Sequence, residues 1–354
     1  MFKNLLVTGG CGFIGANFIH YLLEDSDFTG RIINIDKLTY AGNSENLSGI
    51  ESTFPDRYQF AKIDICNKDE VANIFENYQI DSVCHFAAES HVDRSIVRPD
   101  TFIQTNIVGT FNLLEVARNH MDNIQLFHHI STDEVFGSLG EEGYFTEDTP
   151  YKPNSPYASS KAASDHLVRA YHKTYAMPIT ISNCSNNYGP YQFPEKMIPL
   201  MILNAFNGKP LPVYGDGLNV RDWLYVRDHC TAIWMIMKKG VRGETYNIGG
   251  SNELENIELV KLICNILDEY KRLPDNHLRN ELITFVTDRP GHDRRYAIDF
   301  SKLKSTLGWS PEESFESGIK KTIQWYLDNS DWTDRVKSGE YQSWVEEHYG
   351  QNSH

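Results

Sequence analysis

At 354 residues the chain can bury a sizeable core, and its length predicts one large domain with a smaller companion. Hydrophobic residues at 40% and charged residues at 23% are ordinary for a soluble globular protein. A net charge of −15 without a basic stripe excludes broad nucleic-acid binding, so an anionic ligand needs local Arg and Lys.

The first half alternates between two periods. Short β-branched runs at 5–8, 31–36, 58–64, 81–87, 125–131 and 178–184 predict strands. Helical patterns lie between most of them, at 12–24, 68–78, 101–119 and 156–175. The runs are continuously apolar, as expected when helices cover both sheet faces. Strand–helix–strand repetition predicts right-handed crossovers and an α/β fold with a doubly wound parallel sheet. Beyond about Gly189, Pro190, Pro194, Pro199, Pro210 and Pro212 interrupt the rhythm. A helical pattern at 227–238 and a strand at 245–248 are placed to return to the first sheet. Amphipathic stretches at 254–270 and 314–327 predict a smaller capping unit. The expected division is 1–188 with about 222–250 for cofactor binding, 189–221 with 251–330 for substrate binding, and a tail at 331–354 that frays over 350–354.

Cys11, Cys66, Cys84, Cys184, Cys230 and Cys264 form no C-x-x-C pair, which favours a reducing compartment. Residues 3–8 run straight into the first strand without a signal-peptide pattern, and no apolar stretch reaches membrane-span length. A cytoplasmic protein with no membrane association is expected.

Gly9-Gly10-Cys11-Gly12-Phe13-Ile14-Gly15 joins the first strand to the first helix. Missing side chains there permit a tight turn and close approach of backbone to a pyrophosphate, and the helix N-terminus supplies free N–H groups. Asp36 ends the second strand, where a carboxylate accepts from adenosine ribose hydroxyls and repels a 2′-phosphate. This Rossmann-like arrangement predicts NAD over NADP, a preference that the adjacent Lys37 weakens slightly. Asp64, Ile65, Ala87, Ala88, Glu89 and Ser90 follow later strands and should line the adenine and ribose trough.

Tyr157 and Lys161 lie four apart on a helix, so both project from one face. An ammonium beside a phenol should lower the phenol's pKa and make Tyr157 a base for a sugar hydroxyl. Ser155-Pro156 fits a helix start. Thr132-Asp133-Glu134 follows the fifth strand, and two crowded carboxylates in a water-poor site should leave one pKa raised. Neighbours within a strand face opposite ways, so both acids can reach one substrate only if the strand has ended there. Otherwise Thr132-Asp133 caps a helix and Glu134 is solvated. Arg221 and Arg289 are the best candidates for a diphosphate, since the guanidinium matches phosphate geometry. His128 and His129 face opposite ways on a strand and cannot share a metal, so no metal site is expected.

The chain resembles the extended short-chain dehydrogenase/reductase family through residues 8–15 and Tyr157-x-x-x-Lys161. Within that family it is similar to nucleotide-sugar 4,6-dehydratases through the blocks at 87–93, 129–137, 186–190 and 288–293. The resemblance implies oxidation of a hexose at C4, loss of water across C5–C6, and hydride return to C6. It implies Glu134 as base, Asp133 as acid, and Thr132 and Tyr157 on the C4 oxygen. Phe13, Ile14, Thr105 and Asn187 join the cofactor side by the same resemblance. Asn186, Lys196, Met197, Pro212, Tyr214, Asn256 and His292 join Ser90, Thr132 and the two arginines on the substrate side. A homodimer built on the 101–119 and 156–175 helices is also implied, with dTDP-glucose as substrate and UDP-glucose as its chief competitor. A 4-epimerase or decarboxylase needs the glycine loop and Tyr157–Lys161 but no acid–base pair, and a non-catalytic NAD-sensing protein needs none of the four.

Overall fold

A computed structural model describes residues 2–337; the frayed end expected at 350–354 lies outside them. Seven parallel strands form the main sheet: β1 (Asn4–Thr8), β2 (Arg31–Asp36), β3 (Tyr58–Lys62), β4 (Ser82–His85), β5 (Leu126–Thr132), β6 (Ile179–Cys184) and β10 (Thr245–Ile248). Their order is β10-β6-β5-β4-β1-β2-β3, and the chain reverses direction across the sheet between β3 and β4. The crevice at the carboxyl ends of β1 and β4 is therefore the switch point at which such sheets bind ligands. Each face of the sheet carries its own apolar core. One packs the Phe13–His20 and Val226–Lys239 helices around Leu5, Val7, Ile32 and Trp234. The other holds Leu6, Ile33, Val83, Phe127 and Ile181 against the Lys68–Tyr78 and Thr110–Asn119 helices.

The expected helix at 101–119 is continuous with an earlier turn, Pro99–Phe102, and passes through a π-helical stretch at Ile103–Gly109 before Thr110–Asn119. The Pro156–Tyr175 helix begins as expected, with Ala158 N donating to Ser155 Oγ at 3.0 Å.

A third core lies over the carboxyl end of the sheet and is built from Trp223, Leu259, Ile263, Ile319 and Tyr326. It includes strands that the sequence patterns did not announce: β7 (Asn186–Tyr188), β8 (Leu211–Tyr214), β9 (Val220–Tyr225), β11 (Glu253–Glu255) and β12 (Ile283–Val286). β9 lies between β11 and β7, and β8 pairs with β12. β9 hid because Arg221 and Asp222 break its apolar run while being buried. The Met197–Phe206 helix hid behind Pro199, which its first turn tolerates because no intrahelical N–H bond is required there. Among the described residues no helix is long and apolar enough to cross a membrane.

Candidate active site

The glycine loop leaves β1 and enters the Phe13–His20 helix at Gly12. Gly9 has φ of +71°, and a Cβ there would lie 2.6 Å from Ala87 N. A Cβ on Gly15 would lie 2.4 Å from Gly9 O, so helix and loop are in backbone contact. Asp36 accepts from Cys11 N at 3.0 Å and Leu38 N at 2.8 Å, which fixes its carboxylate at the rim of the cavity above the loop. Lys37 pairs with Asp64 at 3.4 Å. Phe13, Ile14, Ile65, Ala87, Ala88 and Thr105 line the same cavity, as do Tyr157, Lys161 and Asn187. This bare glycine cradle with a fixed carboxylate at the end of β2 fits a dinucleotide.

A second cavity opens from the first and is walled by the capping strands. Met197, Pro212, Tyr214, Arg221, Asn256, Arg289 and His292 line it. The two share Ser90, Glu134, Asn186, Asn187, Gln192, Glu195 and Lys196. Glu134 thus stands at the junction between the dinucleotide trough and the outer pocket.

β5 ends at Thr132, and a 3₁₀ turn spans Asp133–Phe136. Glu134 N donates to Thr132 Oγ1 at 3.3 Å, so Thr132 does cap the turn. Glu134 is nevertheless half-buried in the cavity wall rather than solvated, and Asp133 and Glu134 both line the cavity that holds Tyr157. Asp133 is 2% exposed and its Oδ2 makes no hydrogen bond. Burial, then the Glu134 and Asp222 charges, push its carboxyl well above the usual range. Glu134 is raised by burial too, but Arg289, Arg221 and Lys196 oppose the shift. The pair is therefore unequal: nearby cations oppose the rise at Glu134, while at Asp133 the neighbouring carboxylates add to it.

Tyr157 departs from expectation. Burial first, then Glu134 and Cys184, raise its phenol well above the ordinary value. The expected depression by Lys161 is absent because the lysine is itself buried, which disfavours its charge, and its Nζ donates to Ile130 O at 2.7 Å.

In the outer pocket, Arg289 Nη1 meets Asp93 Oδ1 at 2.8 Å while its buried Nε has no hydrogen-bond partner. Arg221 donates to Val220 O and Asp293 O and lies 4.2 Å over the Tyr296 ring. Lys196 donates to Ser90 O, Tyr214 OH donates to Asp93, and His292 contacts Asp288 at 2.6 Å. Burial lowers His292 to about 4. The sequence patterns did not single out Glu195, which is 4% exposed and pairs with Arg94 at 3.0 Å. Tyr296 and Asp93 were missed as well. The only signal for Glu195 was its adjacency to Lys196, and distance in sequence concealed the other two.

His128 and His129 are core residues on opposite faces of β5. His128 bonds Thr180, and His129 lies 3.1 Å from Asp165.

The family model described as GDP-mannose 4,6 dehydratase matches residues 6–322. The chain belongs to that family, within the extended short-chain dehydrogenases/reductases. Among its relatives, the dTDP-glucose 4,6-dehydratase of Salmonella typhimurium strain LT2 is 55% identical over 98% of each chain. That of Neisseria meningitidis serogroup B is 55% identical over 96% of this chain and 97% of its own. The crystal structure of the Bacillus anthracis dTDP-glucose 4,6-dehydratase in complex with NAD superposes with a TM-score of 0.85 at 47% identity, covering 95% of this chain and all of that one.

Proposed function

We infer that this protein is an NAD-dependent nucleotide-sugar 4,6-dehydratase that converts dTDP-glucose to dTDP-4-keto-6-deoxyglucose and water. The observation that carries the reading is the convergence of Asp133, Glu134, Tyr157 and Lys161 on one cavity. An epimerase needs only the tyrosine and lysine; a second, unequal carboxylate pair facing the same space is what an elimination requires.

NAD, when bound, would supply the hydride acceptor for oxidation at C4 and the hydride donor for C6. Gly9, Gly12, Gly15 and Asp36 hold its adenosine diphosphate end, and Lys161 its nicotinamide ribose. Tyr157 accepts the C4 hydroxyl proton as its phenolate, the form that a hydrogen bond from Thr132 favours against burial and the Glu134 charge. The resulting ketone acidifies the C5 proton, which Glu134 removes. Asp133, whose carboxyl is raised well above the usual range by burial and the Glu134 charge, gives its proton to the departing C6 hydroxyl. The low exposure of Asp133, Tyr157 and Lys161 keeps bulk water from competing at the ketone intermediate.

Arg221, Arg289 and Lys196 supply the cations that the acidic surface lacks, and with Asn186, Tyr214, Asn256 and His292 they form the sugar-nucleotide pocket. We assign 1–188 with about 222–250 to cofactor binding and 189–221 with 251–330 to substrate binding; the glycine cradle in the first part and Met197, Pro212, Tyr214, Asn256, Arg289 and His292 in the second support the division. Exposed Ile103 and Phe111, on the segment that packs against the Pro156–Tyr175 helix, support a homodimer through those helices. Six cysteines without a disulfide support a cytoplasmic location. Offering dTDP-glucose, UDP-glucose and CDP-glucose separately tests the assignment: keto-sugar formation is expected with the dTDP sugar foremost. Epimerised product without keto sugar would contradict it.

A further inference from the structure

The third core meets the glycine loop through a buried amide. Trp332, on the Ser330–Val336 helix, packs its ring against Tyr191 and Trp325, with centroids 6.1 and 5.0 Å away. Its indole Nε1 donates to Asn46 Oδ1 at 2.9 Å, across 286 positions of chain. Asn46 is 2% exposed, and its Nδ2 donates in turn to Cys11 O at 2.9 Å. Asn43 N supplies a second donor to the same carbonyl at 3.0 Å.

Cys11 sits in the middle of the glycine loop. Its N–H donates to Asp36 Oδ2, and the N–H of Gly12 donates to Gly9 O at 3.1 Å. The Cys11–Gly12 peptide is therefore held at both its carbonyl and its N–H, just before the Phe13–His20 helix begins. Gly12 has no side chain with which to cap that helix, so this peptide sets where the first free N–H groups point.

We propose that Trp332 is a positioning residue for the dinucleotide cradle. Through the Asn46 amide it fixes the Cys11–Gly12 peptide, so the Ser330–Val336 helix governs how long the glycine loop holds its dinucleotide.

Packing alone does not account for this pair. A ring can fill the third core without its N–H, and a buried amide is costly unless both of its ends are bonded. The two bonds also fix which way the amide faces. An indole nitrogen can only donate and a backbone carbonyl can only accept. Reversing Asn46 would set N–H against N–H and carbonyl against carbonyl. Loss of the indole N–H removes that discrimination and frees the amide to turn away from Cys11 O. The loop then loosens at the helix start and, through Cys11 N, at the Asp36 carboxylate. The Arg335–Glu45 pair on the same helix, at 2.8 Å, is exposed and screened by water, so it makes a suitable control.

The proposal rests on the NAD reading of the cradle, and the test separates the two. NAD release from the purified holoenzyme is followed by a chase with excess isotopically labelled NAD. The parent, Trp332→Phe, Asn46→Ala, their double variant and Arg335→Ala are compared. Trp332→Phe and Asn46→Ala should each speed release about tenfold, the effect of one buried hydrogen-bonding group left unpaired. In the Asn46→Ala background, Trp332→Phe should speed it no further, although the smaller ring lowers the melting temperature in both backgrounds. Arg335→Ala should release NAD at the parent rate. Parent-rate release from Trp332→Phe, an equal acceleration in both backgrounds, or an Arg335→Ala as fast as Trp332→Phe overturns the proposal. If Trp332→Phe does not fold, Asn46→Asp decides instead. Its carboxylate still accepts from the indole but cannot donate to Cys11 O, so about tenfold faster release supports the proposal and the parent rate overturns it. A parent that holds no NAD contradicts the cofactor reading, and this proposal with it; a parent that holds NAD, with unmoved variants, contradicts only the proposal.

Discussion

Asp133 and Glu134 are consecutive residues, yet both face the cavity that holds Tyr157, because β5 stops at Thr132 and the backbone turns into a 3₁₀ helix at Asp133. A strand carried two residues further would have sent one carboxylate through the sheet. In the proposed mechanism the Thr132 hydroxyl that caps the turn also sets the orientation of the acid–base pair.

If Glu134 removes the C5 proton, Glu134→Gln should lower water loss by about 10²-fold or more while leaving bound NAD unchanged. Keto-sugar release and NAD content per subunit are the two readouts. Dehydration at the parent rate would assign the C5 proton to another group.

Tyr157→Phe removes the acceptor for the C4 hydroxyl proton without changing the shape of the buried ring. The absorbance change of the first hydride transfer should disappear at every pH. A persistent transient would mean that Thr132 or a water suffices.

The glycine cradle makes a separate prediction. Gly15→Ala places a methyl about 2.4 Å from Gly9 O, a backbone atom that cannot swing aside. NAD affinity should fall at least about tenfold, read by equilibrium dialysis, while Gly49→Ala, whose Cβ position is open but whose φ is +84°, should leave affinity unchanged and cost only stability.

Much of this was legible in the sequence because the relevant signals are local. The glycine loop, Asp36 at the end of β2 and the Tyr157–Lys161 spacing each depend on a few neighbouring residues. The strands of the main sheet were visible for a related reason: burial on both faces leaves no polar alternation. What stayed hidden depends on long-range packing. Arg221 and Asp222 disguise a buried strand as a turn. Asp93 meets Arg289 across 196 positions of chain, so no periodicity could announce the contact. The phenol pKa was misread because proximity in sequence does not reveal how deeply both groups are buried.

Acid should unfold the protein through its buried histidines. Burial holds His128 and His229 at about 3 in the folded state, against about 6.5 when unfolded. Between those values the unfolded chain binds more protons, so stability rises with pH and is lost on acidification. The two sites together predict a slope of about 2.7 kcal/mol per pH unit between roughly pH 6 and 4. Urea unfolding at several pH values measures it; a flat dependence would mean that these rings are solvated or charged in the native state.

The most direct measurement is turnover of dTDP-glucose in deuterium oxide, with the product analysed by NMR. If Glu134 takes the C5 proton and a proton returns there after water has left, the product should carry solvent deuterium at C5 and the original C4 hydrogen in the C6 methyl group. Keto sugar with protium retained at C5, or deuterium in place of the C4-derived hydrogen at C6, would contradict elimination by the Asp133–Glu134 pair.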